Sequence, residues 1–327
     1  MLKKIIAVLS CFILMMSVIG CGTNSSAPTT TTVTDTDASA VQADSKIVIA
    51  TTYSVYDWAK NVIKDNNGIE LKYLVDSNVD LHSYQPSASD IVEYQNADLV
   101  LCIGGESEEW IEDLDLDENK VISLINSVNA KEEELVERMQ GEEEESEEEP
   151  EYDEHIWLSL NNAKACVATI ADKFASLDSA NAFAYKTNAN NYISSLDKLD
   201  KEYESVVNSA TTTTLLFGDR FPFRYMVDDY GLNYYAAFIG CSAETEASFE
   251  TIAFLAEKVD ELGLNTVCTI SSNHDIANSI ISATENKNAE IVEFNSMQSI
   301  SNKEADNVSY IDIMTSNLES LKKSLGE

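Results

Sequence analysis

KIVIATTYSVYDWAKNVIKDNNGIELKYLV, residues 46–75, reads as strand, helix and strand in succession. Ile47, Val48, Ile49 and Ala50 form an unbroken apolar run, the signature of a strand covered on both faces. Val55, Trp58, Ala59 and Val62 then recur at three- and four-residue intervals, which predicts a helix over 55–63. Asn67-Gly68 signals a turn, and a second strand is expected over 69–75. The plan continues outward with a helix over 87–96 and a strand over 99–103 that stops at Gly104-Gly105. Further on, 181–207 contains neither Gly nor Pro and carries Tyr192, Leu196, Leu199 and Tyr203 at helical spacing. A helix of that length spans about 40 Å, enough to connect two lobes. A second alternating series follows, with strands over 215–217, 234–238, 267–270 and 291–292. Helices are expected near Tyr225, over 247–262 and 275–284, and at the end over 311–325.

Alternation of this kind implies an α/β fold of two lobes, each a mainly parallel sheet flanked by helices, with ligands bound at the carboxyl ends of the strands. The expected organisation is a first lobe over 46–180, a linker helix over 181–208 and a second lobe over 209–327. Ahead of them, Lys3 and Lys4 precede an apolar stretch over 5–19, and Val18-Ile19-Gly20-Cys21 has the pattern of a bacterial lipoprotein signal. The apolar stretch is shorter than the roughly 20 residues that span a bilayer. Residues 1–20 therefore read as a signal peptide and Cys21 as the lipidation site. Residues 21–45, rich in Thr, Ser, Ala and Asp, read as a flexible tether holding the protein outside the cell membrane.

The chain carries 57 acidic and 21 basic residues, a net charge of −36. Removing 1–20 deletes two lysines and no acids, so the charge moves to −38. Nucleic acid and anionic lipid surfaces are excluded as charge-driven partners, leaving the lipid anchor as the membrane contact. Ten of the fourteen residues over 142–155 are acidic, within an expected acidic loop over 131–154, and the run ends on His155, one of only three histidines. Like charges in a block repel and bury little apolar area, so the run is either a solubilising insertion or a collector of cations.

Three blocks carry a family resemblance: Thr51-Thr52-Tyr53-Ser54-Val55-Tyr56-Asp57, then Asp80-Leu81-His82-Ser83-Tyr84-Gln85-Pro86 continuing to Asp90, then Gly104-Gly105-Glu106 continuing to Trp110. From about residue 46 onward the chain resembles the metal-binding solute receptors of bacterial zinc and manganese ABC importers, the cluster A-I receptor family. The resemblance implies a receptor that passes a divalent metal ion to an ABC importer permease and catalyses nothing, and the protein is expected to be a monomer. The resemblance also implies His82 as a ligand, and His155, which precedes Trp157-Leu158, as a second. Imidazole suits borderline ions such as Zn²⁺.

The pattern departs from the family in two places. Where many relatives have a third histidine, the segment here runs Asp219-Arg220-Phe221-Pro222-Phe223, and a guanidinium cannot bind a metal. Asp219, one position away, is the alternative. After the strand over 267–270, where a family carboxylate is expected, stands Ser271-Ser272-Asn273-His274-Asp275, so His274 or Asp275 could substitute, a helix-start role for either being the alternative; His274, the second lobe's one histidine, is its nitrogen candidate. Nitrogen-rich ligation favours zinc, and mostly oxygen ligation manganese. Cys241 and Cys268 are the expected pair if a disulfide forms, with free buried thiols as the alternative. A secreted metal-dependent hydrolase is disfavoured by the lack of His-Glu-x-x-His and of a Gly-x-Ser-x-Gly elbow. A lipoprotein adhesin is the third class.

Overall fold

The apolar run at 47–50 lies within β1 (Lys46–Ala50), whose Val48, Ile49 and Ala50 are fully buried. β1 pairs in parallel with β2 (Ile69–Tyr73) on one side and β3 (Leu99–Cys102) on the other. A three-residue edge strand, β4 (Val121–Ser123), completes the order β2-β1-β3-β4. The helix read between β1 and β2 is α1 (Tyr53–Ile63), which buries Val55, Trp58, Ala59 and Val62 along one face. Ser87 and Asp90 form a capping box that starts α2 (Ala88–Asn96) by satisfying its free amides. The computed structural model describes residues 45–75, 78–141, 152–242 and 246–327. The signal peptide, Cys21, the tether up to 44 and the acidic residues 142–151 lie outside the described residues.

The second sheet repeats the plan. β5 (Thr214–Phe221), β6 (Asn233–Ile239), β7 (Thr266–Thr269) and β8 (Glu290–Glu293) are all parallel, in the order β6-β5-β7-β8. That order is the same permutation as in the first sheet. α5 (Arg224–Tyr230), α6 (Phe249–Leu262) and α7 (Asp275–Ala283) connect the strands. α5 and α6 each end on a left-handed glycine, Gly231 at φ 66° and Gly263 at φ 63°, where a Cβ would be strained. β5 slips register against β6 between Phe217 and Arg220, so Gly218 and Asp219 sit in an irregularity.

α4 (Ala182–Ser209) is the long helix, 28 residues or about 42 Å. Its buried stripe packs on α1, on α3 (Leu160–Leu177) and on α8 (Tyr310–Ser324). Tyr192 Oη donates to Asp57 on α1 at 2.8 Å, and Tyr203 Oη donates to the Met314 carbonyl on α8 at 2.7 Å. One apolar core thus runs from Val48 and Trp58 through Leu196 and Tyr203 to Phe217 and Tyr310. α3 and β4 were absent from the alternation read above. Leu160, Ala163, Val167, Ile170, Ala171 and Phe174 do recur at helical spacing, whereas β4 is too short to carry a period.

The expected Cys241–Cys268 disulfide is corrected. Both thiols are free. Cys268 is in β7 and Cys241 just past β6, and β5 lies between those strands. Two strand spacings amount to about 9–10 Å, beyond the roughly 7 Å a disulfide tolerates between Cα atoms. Cys268 instead lies 3.4 Å from Ser324 Oγ on α8.

Candidate metal centre

His82 lies in a single turn, Leu81–Ser83, that begins with Asp80. One oxygen of Asp80 takes both the backbone amide of His82, at 3.1 Å, and its ring Nδ1, at 2.9 Å. His155 repeats the device before the turn Ile156–Leu158. Asp153 Oδ1 accepts from the His155 amide at 2.8 Å and meets its Nδ1 at 2.9 Å. A carboxylate on Nδ1 holds the proton there and leaves the Nε2 lone pair for an electrophile, the arrangement that orients histidines on metals. The two rings lie 5.3 Å apart, and His155 is fully buried.

Asp80 is itself anchored. Arg220 at the end of β5 pairs with its other oxygen at 2.6 Å, and this charge together with His82 holds the Asp80 carboxyl below its ordinary range despite burial. Asp153 is fixed through its backbone, because Tyr225 Oη on α5 donates to its carbonyl at 2.7 Å. Trp157 donates from its indole to the Ser296 carbonyl at 2.8 Å, and Tyr310 donates to the Trp157 carbonyl at 2.7 Å. The second-lobe segment after β8 also delivers Gln298, whose amide nitrogen lies 3.1 Å from His155 Nε2 and 3.3 Å from His82 Nδ1.

Glu154 fills the space between the histidines. One oxygen accepts the Ser107 amide at 3.0 Å; the other lies 3.2 Å from His82 Nε2. Those last two atoms are buried, and neither has a well-formed hydrogen bond. Burial opposes ionisation of Glu154, yet His82, His155 and Ser107 hold its carboxyl below the usual value. Burial would likewise depress the His82 imidazole, but Asp80 and Glu154 override it and push it up to about 9. A cation entering at Nε2 displaces that proton. Gly105 makes room for Glu154, since a Cβ there would lie 2.2 Å from the Glu154 side chain. Gly240 does the same for His155, with a Cβ placed 2.7 Å from Cε1.

Among the described residues, one group of side chains has ligand atoms within 4.8 Å of one another: His82, Glu154, His155 and Cys241. His274 and Asp219 are not in it. His274 precedes α7, keeps 36% of its side chain exposed and has Glu293 at 3.9 Å. Asp219 spends its carboxylate on the β5 irregularity, accepting from the Arg220 amide at 2.8 Å, the Ile270 amide at 3.1 Å and Ser271 Oγ at 3.0 Å. Glu154 was passed over in sequence because it is one acid in a run of acids. The shared Asp-x-His spacing of Asp80-Leu81-His82 and Asp153-Glu154-His155 marks Asp153 as the orienting carboxylate, while Glu154 falls at the position held by Leu81 and carries no signal of its own.

Two parallel-sheet lobes, a long helix between them and a buried cluster of imidazole and carboxylate donors define a solute-binding protein for a cation. The chain belongs to the family described as zinc-uptake complex component A, periplasmic, whose profile matches residues 48–324. Members of this family are substrate-binding receptors and not enzymes. The chain is 29% identical over 340 residues to the high-affinity zinc uptake system protein ZnuA of Bacillus subtilis, covering 99% of both chains. It is 30% identical over 295 residues to the zinc-binding lipoprotein AdcA of Streptococcus pneumoniae, covering 86% of this chain and 56% of AdcA. The chain thus spans little more than half of that longer relative. Among solved structures, the metal-dependent lipoprotein YcdH of Bacillus subtilis superposes with a TM-score of 0.70 at 25% identity, over 86% of this chain and 99% of that one. The Zn(II)-bound ZnuA-like domain of Streptococcus pneumoniae AdcA superposes at 0.68 and 24% identity, over 86% and 100%, and shares the fold.

Proposed function

We propose that the protein is a lipid-anchored extracytoplasmic receptor that binds zinc between its two lobes, through His82, His155 and Glu154, and hands it to an ABC importer permease. The observation that carries the reading is the pair of aspartate-backed imidazoles converging on a buried carboxylate. Two neutral nitrogens and one carboxylate suit Zn²⁺ better than Mn²⁺, which prefers oxygen-rich shells. The relatives named for zinc uptake and zinc binding support the same cargo. The anchor rests on the lipoprotein signal ending at Cys21 and on the lipoprotein relatives.

Titration of the metal-free full chain with zinc in a calorimeter, against a competing chelator, tests the cargo. One tight site per chain is expected, weakened at least tenfold, about 1.4 kcal/mol, by His82→Ala and by His155→Ala. Undiminished affinity in both variants would remove these residues from the site. Tighter binding of manganese than of zinc would overturn the cargo.

A further inference from the structure

The ligand set of the proposed receptor so far comes from the first lobe. The second-lobe positions expected to help are occupied otherwise: Arg220 holds Asp80, Asp219 supports the β5 irregularity, and His274 stands apart. We infer that the second lobe's donor is the thiolate of Cys241, so that zinc is held by two imidazoles, one carboxylate and one sulfur. This inference rests on the zinc-receptor reading and specifies its fourth ligand.

Cys241 lies two residues past Ile239, the last residue of β6, at the carboxyl end of its strand, where parallel sheets present ligands. Its Sγ is within 4.8 Å of the donor atoms of His82, Glu154 and His155. Zinc–nitrogen and zinc–oxygen bonds near 2.0–2.2 Å and a zinc–sulfur bond near 2.3 Å place tetrahedral donors about 3.3–3.8 Å apart, so the group must contract by about an ångström. The preceding residue permits the approach, because Gly240 has no Cβ to strike His155. The space is also polar in a directed way: Glu154, almost wholly buried, points into it the oxygen that faces His82 Nε2 at 3.2 Å, and neither of these two atoms makes a well-formed hydrogen bond. The sulfur is not committed elsewhere by a disulfide.

The charges balance. Zn²⁺ with two neutral imidazoles, Glu154 carboxylate and Cys241 thiolate is formally neutral at the ion; around it the Asp80 charge is met by Arg220, and Asp153 keeps its carboxylate on His155 Nδ1. On binding, the thiol's S–H bond breaks, its electron pair passes to zinc, and the proton leaves to water. A thiolate also refines the cargo, since soft sulfur favours zinc and cadmium over manganese.

Cobalt(II) as a spectroscopic probe tests the sulfur ligand on the full chain. The wild type is expected to show a thiolate-to-cobalt charge-transfer band in the near ultraviolet together with the visible bands of tetrahedral cobalt. Cys241→Ser, with the other five cysteines intact, should lose the charge-transfer band, keep a circular dichroism spectrum like the wild type and bind zinc at least tenfold more weakly. Zinc should also protect Cys241 in the unaltered protein from alkylation by iodoacetamide, read by mass spectrometry, so the inference does not depend on the variant folding. A band that survives Cys241→Ser, or alkylation of Cys241 at the same rate with and without zinc, would overturn it. If zinc binds the wild type tightly but no charge-transfer band appears with cobalt, the thiolate falls and the receptor reading stands. If neither metal binds, the receptor reading itself fails and the thiolate falls with it.

Discussion

Asp80 and Asp153 occupy the same place relative to their histidines, and each serves two donors with one oxygen, the backbone amide and ring Nδ1 of the same histidine. Losing such an orienting carboxylate usually costs a metal site 10- to 100-fold in affinity, because ring position and tautomer are both released. Asp153→Ala is expected to weaken zinc in that range, measured by chelator competition, and unchanged affinity would deny the orienting role. Arg220→Ala should weaken binding by less, since Asp80 keeps His82 and loses only its second partner. At this scale the sequence was half legible. His82 and His155 stood out as rare residues in a recognisable setting, while Glu154 was hidden by the acids around it. Cys241 invites a reading as a disulfide partner, because nothing in the chain's order reveals that β6 ends beside His155.

At the scale of elements, short apolar strands and helical stripes were readable because their periods are local. α4 was plain from its unbroken 28 residues, and α1 from its four buried positions. β4 had three residues and no period to read. The contact between β6 and the first lobe's histidine is tertiary, and it depends on Gly240. A methyl group at 2.7 Å from a fully buried ring has to displace one side or the other. Gly240→Ala is therefore expected to cost about 1–3 kcal/mol in denaturant unfolding of the metal-free protein, together with zinc affinity. Wild-type stability in this variant would show that the strand end gives way freely.

For the molecule as a whole, Glu108 is a buried carboxyl outside the ligand group. Burial pushes its carboxyl up to about 7, against hydrogen bonds from Thr51 Oγ1 and the Gly104 amide, and the charge of Glu154 adds to the rise. A folded value above the unfolded one makes this group's contribution complete below about pH 4.5 and lost as pH rises through about 7. The loss is roughly 3 kcal/mol at most. In the metal-free protein, the stability advantage of Glu108→Gln over wild type should grow between pH 5 and pH 8 in parallel urea titrations. Parallel pH profiles for the two proteins would contradict it. A single zinc ion is expected where the two aspartate-backed histidines face Glu154. Crystals grown with zinc, measured on both sides of the zinc absorption edge, test this. One strong anomalous peak is expected about 2.0–2.1 Å from Nε2 of both His82 and His155. A peak at His274 or Asp219 instead, with nothing between those two rings, would contradict it.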